Sequence, residues 1–339
     1  MLELSECESY WLQAIVVTDR LYGTQVPRFW SPRVLGAKMD LTIQIGGYRV
    51  QIDEPKNYSC LVWPLRPFDR FLASSTSDSD LHIEVTVVTP LPDLEPASLL
   101  FDSAHGCWTL CESDAGLLFE SLDPKNLQPR VRASVSKDYR TVQAWILPSL
   151  EGGQVGWSPM HLFNPLIEVC LLSRVARDGG LLLHAAGLVL SKEGFVFTGP
   201  SEAGKSTISE LFARQGATVL SDERVILRQQ GSTFFLYGTP WVGSGQYAEN
   251  GSAPMTALYR ISHGAEHHGL TPLTATRAVT LLLQQAFLPH WDRNGMERTL
   301  EFLESLTARI PCQSLSFLNQ PDVVEFVREH SSVLTVEST

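Results

Sequence analysis

Residues 199–206 read Gly199-Pro200-Ser201-Glu202-Ala203-Gly204-Lys205-Ser206, a complete G-x-x-x-x-G-K-[ST] motif. The apolar run Gly194–Thr198 before it has strand character, and the stretch after it, to Gln215, has helical periodicity. Glycines in such a loop let the backbone wrap closely, so that successive N–H groups point at phosphate oxygens. The helix N-terminus behind them favours an anion for the same reason. Lys205 would supply a point charge to the outer phosphates and Ser206 a hydroxyl for Mg²⁺. The phosphate-binding span is therefore expected over Gly199, Pro200, Ser201, Glu202, Ala203, Gly204, Lys205, Ser206 and Thr207. The plain alternative is an ordinary glycine-rich turn between a strand and a helix.

The rest of the chain arranges itself around this unit. Up to about residue 150 the sequence is β-rich: 41–52 alternates around Gly46-Gly47, 81–90 alternates again, 107–122 reads as a hairpin, and 131–147 as two strands around Lys137-Asp138. The Gly/Pro-punctuated segment 151–159 is the expected boundary. It separates a β-rich N-terminal domain (1–150), read as a substrate or partner platform, from an α/β domain (151–339). In the second part, 163–180 has helical spacing and 181–191 reads as a strand, with a turn at 192–194. A strand at 217–223 comes after the motif helix. Next are a hairpin around Gly231, helices over 273–288 and 295–310, a strand at 313–318 and a last helix over 322–330.

Asp222 and Glu223 end the strand after the motif helix. A right-handed crossover makes that strand parallel to 194–198, which brings both carboxylates to the sheet edge that carries the loop. There they can hold Mg²⁺ or take a proton from an attacking hydroxyl; a solvated strand end is the bland reading. His184 enters through register. With the turn at Lys192-Glu193, residues whose numbers sum to about 385 pair, placing His184 opposite Ser201. An imidazole there would titrate near neutrality and sense or share a proton, whereas a lone His in an apolar strand is otherwise a core group. The long loop 238–254, with Trp241 and Tyr247, reads as a cover for substrate or nucleotide, or else as a mobile segment. His263, His267 and His268 read as an exposed polar loop, and Cys107 with Cys111 as strand residues, rather than as metal sites.

Composition narrows the partners. With 26 basic and 37 acidic residues the formal charge is -11, and no Lys/Arg run offsets it. Nucleic acid and anionic membrane are therefore not expected as partners. Six scattered Cys, no spanning apolar stretch and no visible secretory leader give a cytoplasmic expectation. Nothing in the sequence reads out an oligomeric state.

Taken together, His184, the motif at 199–206 and Asp222-Glu223 in the run Leu220–Val225 resemble the kinase domain of HPr kinase/phosphorylase, over about residues 181–226. The resemblance implies an α/β fold related to phosphoenolpyruvate carboxykinase, with ATP and Mg²⁺ as cofactors. By it, Lys205 and Ser206 hold phosphates and metal, Asp222 is the base that activates the acceptor hydroxyl, Glu223 is a metal or second carboxylate, and His184 lies at the phosphate site. Ala203 stands where that family has a third loop glycine, and Glu223 where it has a second Asp. The expected function is an ATP- and Mg-dependent kinase acting on a hydroxyl, as Ser/Thr of a peptide or small protein. A small-metabolite kinase and a non-catalytic nucleotide-sensing protein are the alternatives.

Overall fold

The computed structural model describes residues 41–336 apart from 57, 61–65, 75–77, 104–106, 124–125, 152 and 263–265. The fold is mixed α/β, and the chain divides into two compact units. The first comprises Met1–Gln44, Tyr48–Arg174 and His290–Asp292; the second comprises Ile45–Gly47, Val175–Pro289 and Arg293–Thr339.

The first unit is built from β1 (Leu41–Ile45), β2 (Tyr48–Asp53), β3 (Leu81–Val87), β4 (Ser98–Asp102), β5 (Trp108–Ser113), β6 (Gly116–Leu122), β7 (Pro129–Val135) and β8 (Thr141–Ile146). They form one sheet in the order β1-β2-β3-β8-β7-β6-β5-β4. The hairpins expected at 107–122 and 131–147 are present as β5–β6 and β7–β8, because period-2 alternation buries one face of each strand. β4 has no counterpart in the sequence reading; its residues are mostly exposed and carry no alternation. Trp108 anchors the buried face, stacked between Phe101 and Phe119 with the Trp291 ring edge-on at 5.4 Å. Past β8, β9 (Ser149–Glu151) and β10 (Gln154–Gly156) make a two-stranded ribbon where the sequence suggests only a boundary loop. The first unit continues beyond it into helix α1 (Glu168–Arg177).

The second unit begins with β11 (Gly180–Leu190) and β12 (Glu193–Thr198), then helix α2 (Lys205–Arg214) and β13 (Thr218–Ser221). β14 (Arg224–Gln230), β15 (Thr233–Tyr237), β16 (Ser252–Ser262) and β17 (Gly269–Pro272) come next. Helix α3 (Ala275–Gln285), β18 (Ala286–Phe287), helix α4 (Arg293–Arg309), β19 (Cys312–Ser316) and helix α5 (Val323–Val336) complete it. The strand order is β12-β11-β14-β15-β16-β19-β17, and an additional parallel pairing of β12 with β16 closes part of the sheet on itself.

Helix α2 packs Ile208, Leu211 and Phe212 against this sheet, with Phe212 edge-on to Phe197 at 5.2 Å. Phe197 in turn stacks on Tyr259 of β16. Because Phe212 is fully buried, Phe212→Ala is expected to lower unfolding free energy by about 3–5 kcal/mol in urea titration.

Two features of strand register place the loop and the carboxylates. β11 pairs β12 with Leu190 opposite Glu193 and Ala185 opposite Thr198, a sum of 383 rather than 385. Ser191 and Lys192, both at positive φ (54° and 72°), form the two-residue turn, one position earlier than the sequence suggests. Positive φ at both central residues matches the right-handed strand twist and so selects that turn. His184 thus falls level with Gly199, not Ser201. On the other side of β11, His184 pairs Arg224 and Gly187 pairs Ser221, both sums 408, so β13 and β14 succeed one another along β11. Asp222 and Glu223 sit at the join, opposite Ala186 and Ala185, rather than at a free strand end.

Candidate active site

The loop 199–204 leaves β12 and enters α2 through Gly204, whose φ of 104° is the left-handed conformation that glycine tolerates best. Glu202 also has positive φ (65°), and Ala203 N–H closes a turn on Pro200 O at 3.2 Å. Lys205, the first residue of α2, folds its side chain back under the loop. Its Nζ donates to Gly199 O at 3.0 Å and to Pro200 O at 3.1 Å. Burial lowers its pKa to about 8, against the pull of the Glu223 and Asp222 carboxylates, which favours the charged form. An ammonium that is buried, desolvated and faced by carbonyl oxygens is poised to gain from a polyanion. Ser206 is next, with its Oγ 3.2 Å from Ser244 Oγ.

β13 runs parallel to β12, because each is antiparallel to β11 between them. Two strand spacings, roughly 10 Å, therefore separate the end of β12 from the carboxylates at the same level of the sheet. Asp222 is buried, and its oxygens are claimed by backbone: Gly243 N–H donates to Oδ1 at 3.0 Å and Gly245 N–H to Oδ2 at 2.6 Å. Desolvation raises its pKa, while the N–H groups of Gly243, Gly245 and Tyr247 oppose the rise. Burial likewise raises Glu223, with Arg224 and Lys205 pulling it down and Asp222 pushing it up.

His184 is fully buried in β11. Its Nδ1 lies 3.1 Å from Glu223 O and 3.3 Å from Glu223 Oε1. A carbonyl only accepts, so Nδ1 carries the proton. The carboxylate is near enough for an ion pair. Burial together with the Lys205 and Arg224 charges outweighs it, and the imidazole pKa is pushed down to about 2. The ring is therefore neutral in the free chain, and the expected titration near pH 7 is corrected there: desolvation is the largest cause of the shift of this imidazole.

Between pH 6.5 and 2 the unfolded chain binds a proton at this position that the folded chain refuses, so stability falls as pH falls. The raised Asp222 and Glu223 work in the opposite direction. Comparison with His184→Gln isolates the imidazole: between pH 7 and 5 the parent chain should lose about 2 kcal/mol more than the variant, read by chemical denaturation.

Three residues at this site have no part in the sequence reading. Arg224 is buried beside His184 and Glu223, with its guanidinium 4.7 Å over the Phe287 ring. Gly243 and Gly245 bring the long loop onto Asp222. A Cβ at 243 would stand 2.8 Å from Glu223 Oε2, and one at 245 would stand 2.6 Å from Asp222 Oδ2. The Gly-x-Gly spacing at 243–245 is the signal the sequence offers for them. The loop 238–251 is tied down at both ends: Gly238 N–H donates to Gly251 O, Glu249 N–H to Leu220 O, and Thr239 Oγ1 to Arg224 O. Trp241 is buried and Tyr247 partly so.

Elsewhere His268 bonds Asp322 and the Leu318 N–H, while His263 lies outside the described residues. Among the described residues there is no group of three or more His, Cys, Asp or Glu that could hold a metal without help. Nor is any helix there long and apolar enough to cross a membrane.

No family model matches the chain, and no curated protein matches it. Among solved structures, the HPr(Ser) kinase/phosphatase from Coxiella burnetii is similar over 45% of this chain and 98% of its own, with 14% identity and a TM-score of 0.28.

Proposed function

We propose that the second unit is a P-loop kinase module that binds ATP with Mg²⁺ and transfers the γ-phosphoryl group to a hydroxyl, as in Ser/Thr of a peptide or small protein. One observation carries this reading. The buried Lys205 ammonium, the Ser206 hydroxyl and the Asp222–Glu223 carboxylates are gathered at one sheet level around a glycine-bounded loop.

The backbone of 199–206 would cradle the phosphates, and Lys205 would swing from the Gly199 and Pro200 carbonyls to the outer phosphate oxygens. Ser206 and Glu223 would hold Mg²⁺. An oxygen-only donor set of one hydroxyl and one carboxylate suits that hard cation, which ordinarily takes few protein ligands and completes its shell with phosphate and water. When bound there, the ion would supply charge neutralisation for the phosphate oxygens. Asp222 would accept the proton of the attacking hydroxyl, its raised pKa bringing it nearer the working pH. His184, neutral and fixed on Glu223 O, would orient Glu223 rather than shuttle protons. Positioning and charge, rather than covalent chemistry, would carry the rate.

The test is the fate of γ-labelled ATP with the whole chain and Mg²⁺. Label in a peptide supports this reading; label in a small metabolite supports the metabolite kinase. Nucleotide bound with no turnover supports the sensing protein. Proton linkage gives an independent check. Between about pH 8 and 10.5 the buried Lys205 is largely neutral in the free chain, and a triphosphate favours its ammonium. Binding in that window is expected to take up a proton, seen as a buffer-dependent enthalpy in titration calorimetry; Lys205→Met should abolish the uptake.

A further inference from the structure

Ser244 is bracketed by the two glycines that donate to Asp222. Gly243 N–H reaches Oδ1 at 3.0 Å and Gly245 N–H reaches Oδ2 at 2.6 Å, so a single carboxylate straddles the serine's backbone. The turn is closed behind it by Gln246, whose side-chain amide donates to Gly243 O at 2.9 Å. The Ser244 side chain is exposed, and its hydroxyl lies 3.2 Å from Ser206 Oγ at the first turn of α2. A side chain at either glycine would collide with Asp222 or Glu223. Glycines on both sides therefore let the backbone of Ser244 close on Asp222 while its hydroxyl lies beside Ser206.

We propose that Ser244 is a phosphoryl acceptor in its own chain, a modification site delivered to the loop by 238–251. The proposal rests on the kinase reading above. In the step, Ser244 Oγ forms a bond to the γ-phosphorus of a bound nucleoside triphosphate as the bond from that phosphorus to the β,γ-bridging oxygen breaks. The bridging oxygen leaves with the electron pair on the nucleoside diphosphate, and the hydroxyl proton passes to Asp222. The Gly243 and Gly245 N–H groups hold the two Asp222 oxygens in place to receive that proton. No oxidant or further reactant is required.

The experiment incubates the full chain with Mg²⁺ and γ-labelled ATP and locates the label by phosphopeptide mass spectrometry, with calorimetry reporting nucleotide binding separately. Expected are one phosphoryl group on Ser244 and a rate per chain that does not change on dilution of the protein. Ser244→Ala should lose that label, Ser244→Thr should retain it, and Asp222→Asn should slow it by about 10²–10⁴-fold.

A chain that binds ATP and phosphorylates an added peptide, yet leaves Ser244 unmodified, overturns this proposal and leaves the kinase reading standing. A chain that binds no ATP overturns both. A rate that rises with protein concentration overturns delivery in cis, and label undiminished in Ser244→Ala overturns the site.

Discussion

Asp222→Asn is expected to slow phosphoryl transfer by about 10²–10⁴-fold while leaving nucleotide affinity near that of the parent chain. The substitution keeps the shape of the side chain and removes the proton acceptor. It also disturbs a buried carboxylate that accepts from Gly243 and Gly245 at 3.0 and 2.6 Å. One of those donors would then face the amide nitrogen, so looser packing of 238–251 should accompany the rate loss. Single-turnover kinetics beside calorimetry separates the two effects. If affinity for ATP with Mg²⁺ drops as far as the rate does, Asp222 is a metal ligand and the base lies elsewhere.

Lys205→Ala is expected to weaken ATP binding by at least about 10–150-fold, the effect of one lost hydrogen bond to a charged group at about 1.5–3 kcal/mol. Two features push it toward the upper end. The ammonium is buried, so its interaction with phosphate is screened less than at a surface. It also shares with Arg224 the offsetting of the Glu223 charge, so its loss leaves more uncompensated negative charge facing the nucleotide. The fold itself should survive, because Nζ bonds only two loop carbonyls and the anchoring contacts of α2 are Ile208, Leu211 and Phe212. Equilibrium binding of a fluorescent ATP analogue, with thermal unfolding as the folding control, reads both. Unchanged affinity in a folded variant would contradict a phosphate role for this loop.

The strand, loop and helix around 199–206 are legible in the chain because they are short-range objects. An apolar strand, glycines at the entry and exit of the loop and an amphipathic helix each leave a pattern within a few residues. The β-hairpins of the first unit are legible for the same reason, since alternation and turn residues lie side by side in sequence. Strands without alternation leave no such trace. β4 is mostly exposed. β16 begins inside a stretch that reads as a glycine-rich loop, yet Leu258, Tyr259 and Arg260 pair β12 on one side and β19 on the other, and Ser252, Ala253 and Pro254 pair β15.

The identities of Lys205, Ser206, Asp222, Glu223 and His184, and the approximate level at which they meet, come from residue pattern and strand direction. Three other features are decided only by the tertiary structure. A turn at Ser191-Lys192 shifts His184 by two residues. Burial beside Arg224 and Lys205 drives its imidazole to a neutral state that no sequence spacing encodes. Two glycine amides more than twenty positions downstream close on Asp222. The turn is a backbone choice at two adjacent residues, whereas the other two features share one physical reason. Hydrogen-bonding pattern and side-chain periodicity are properties of neighbouring residues, whereas desolvation, Coulomb interaction and close backbone approach depend on which distant segments pack together.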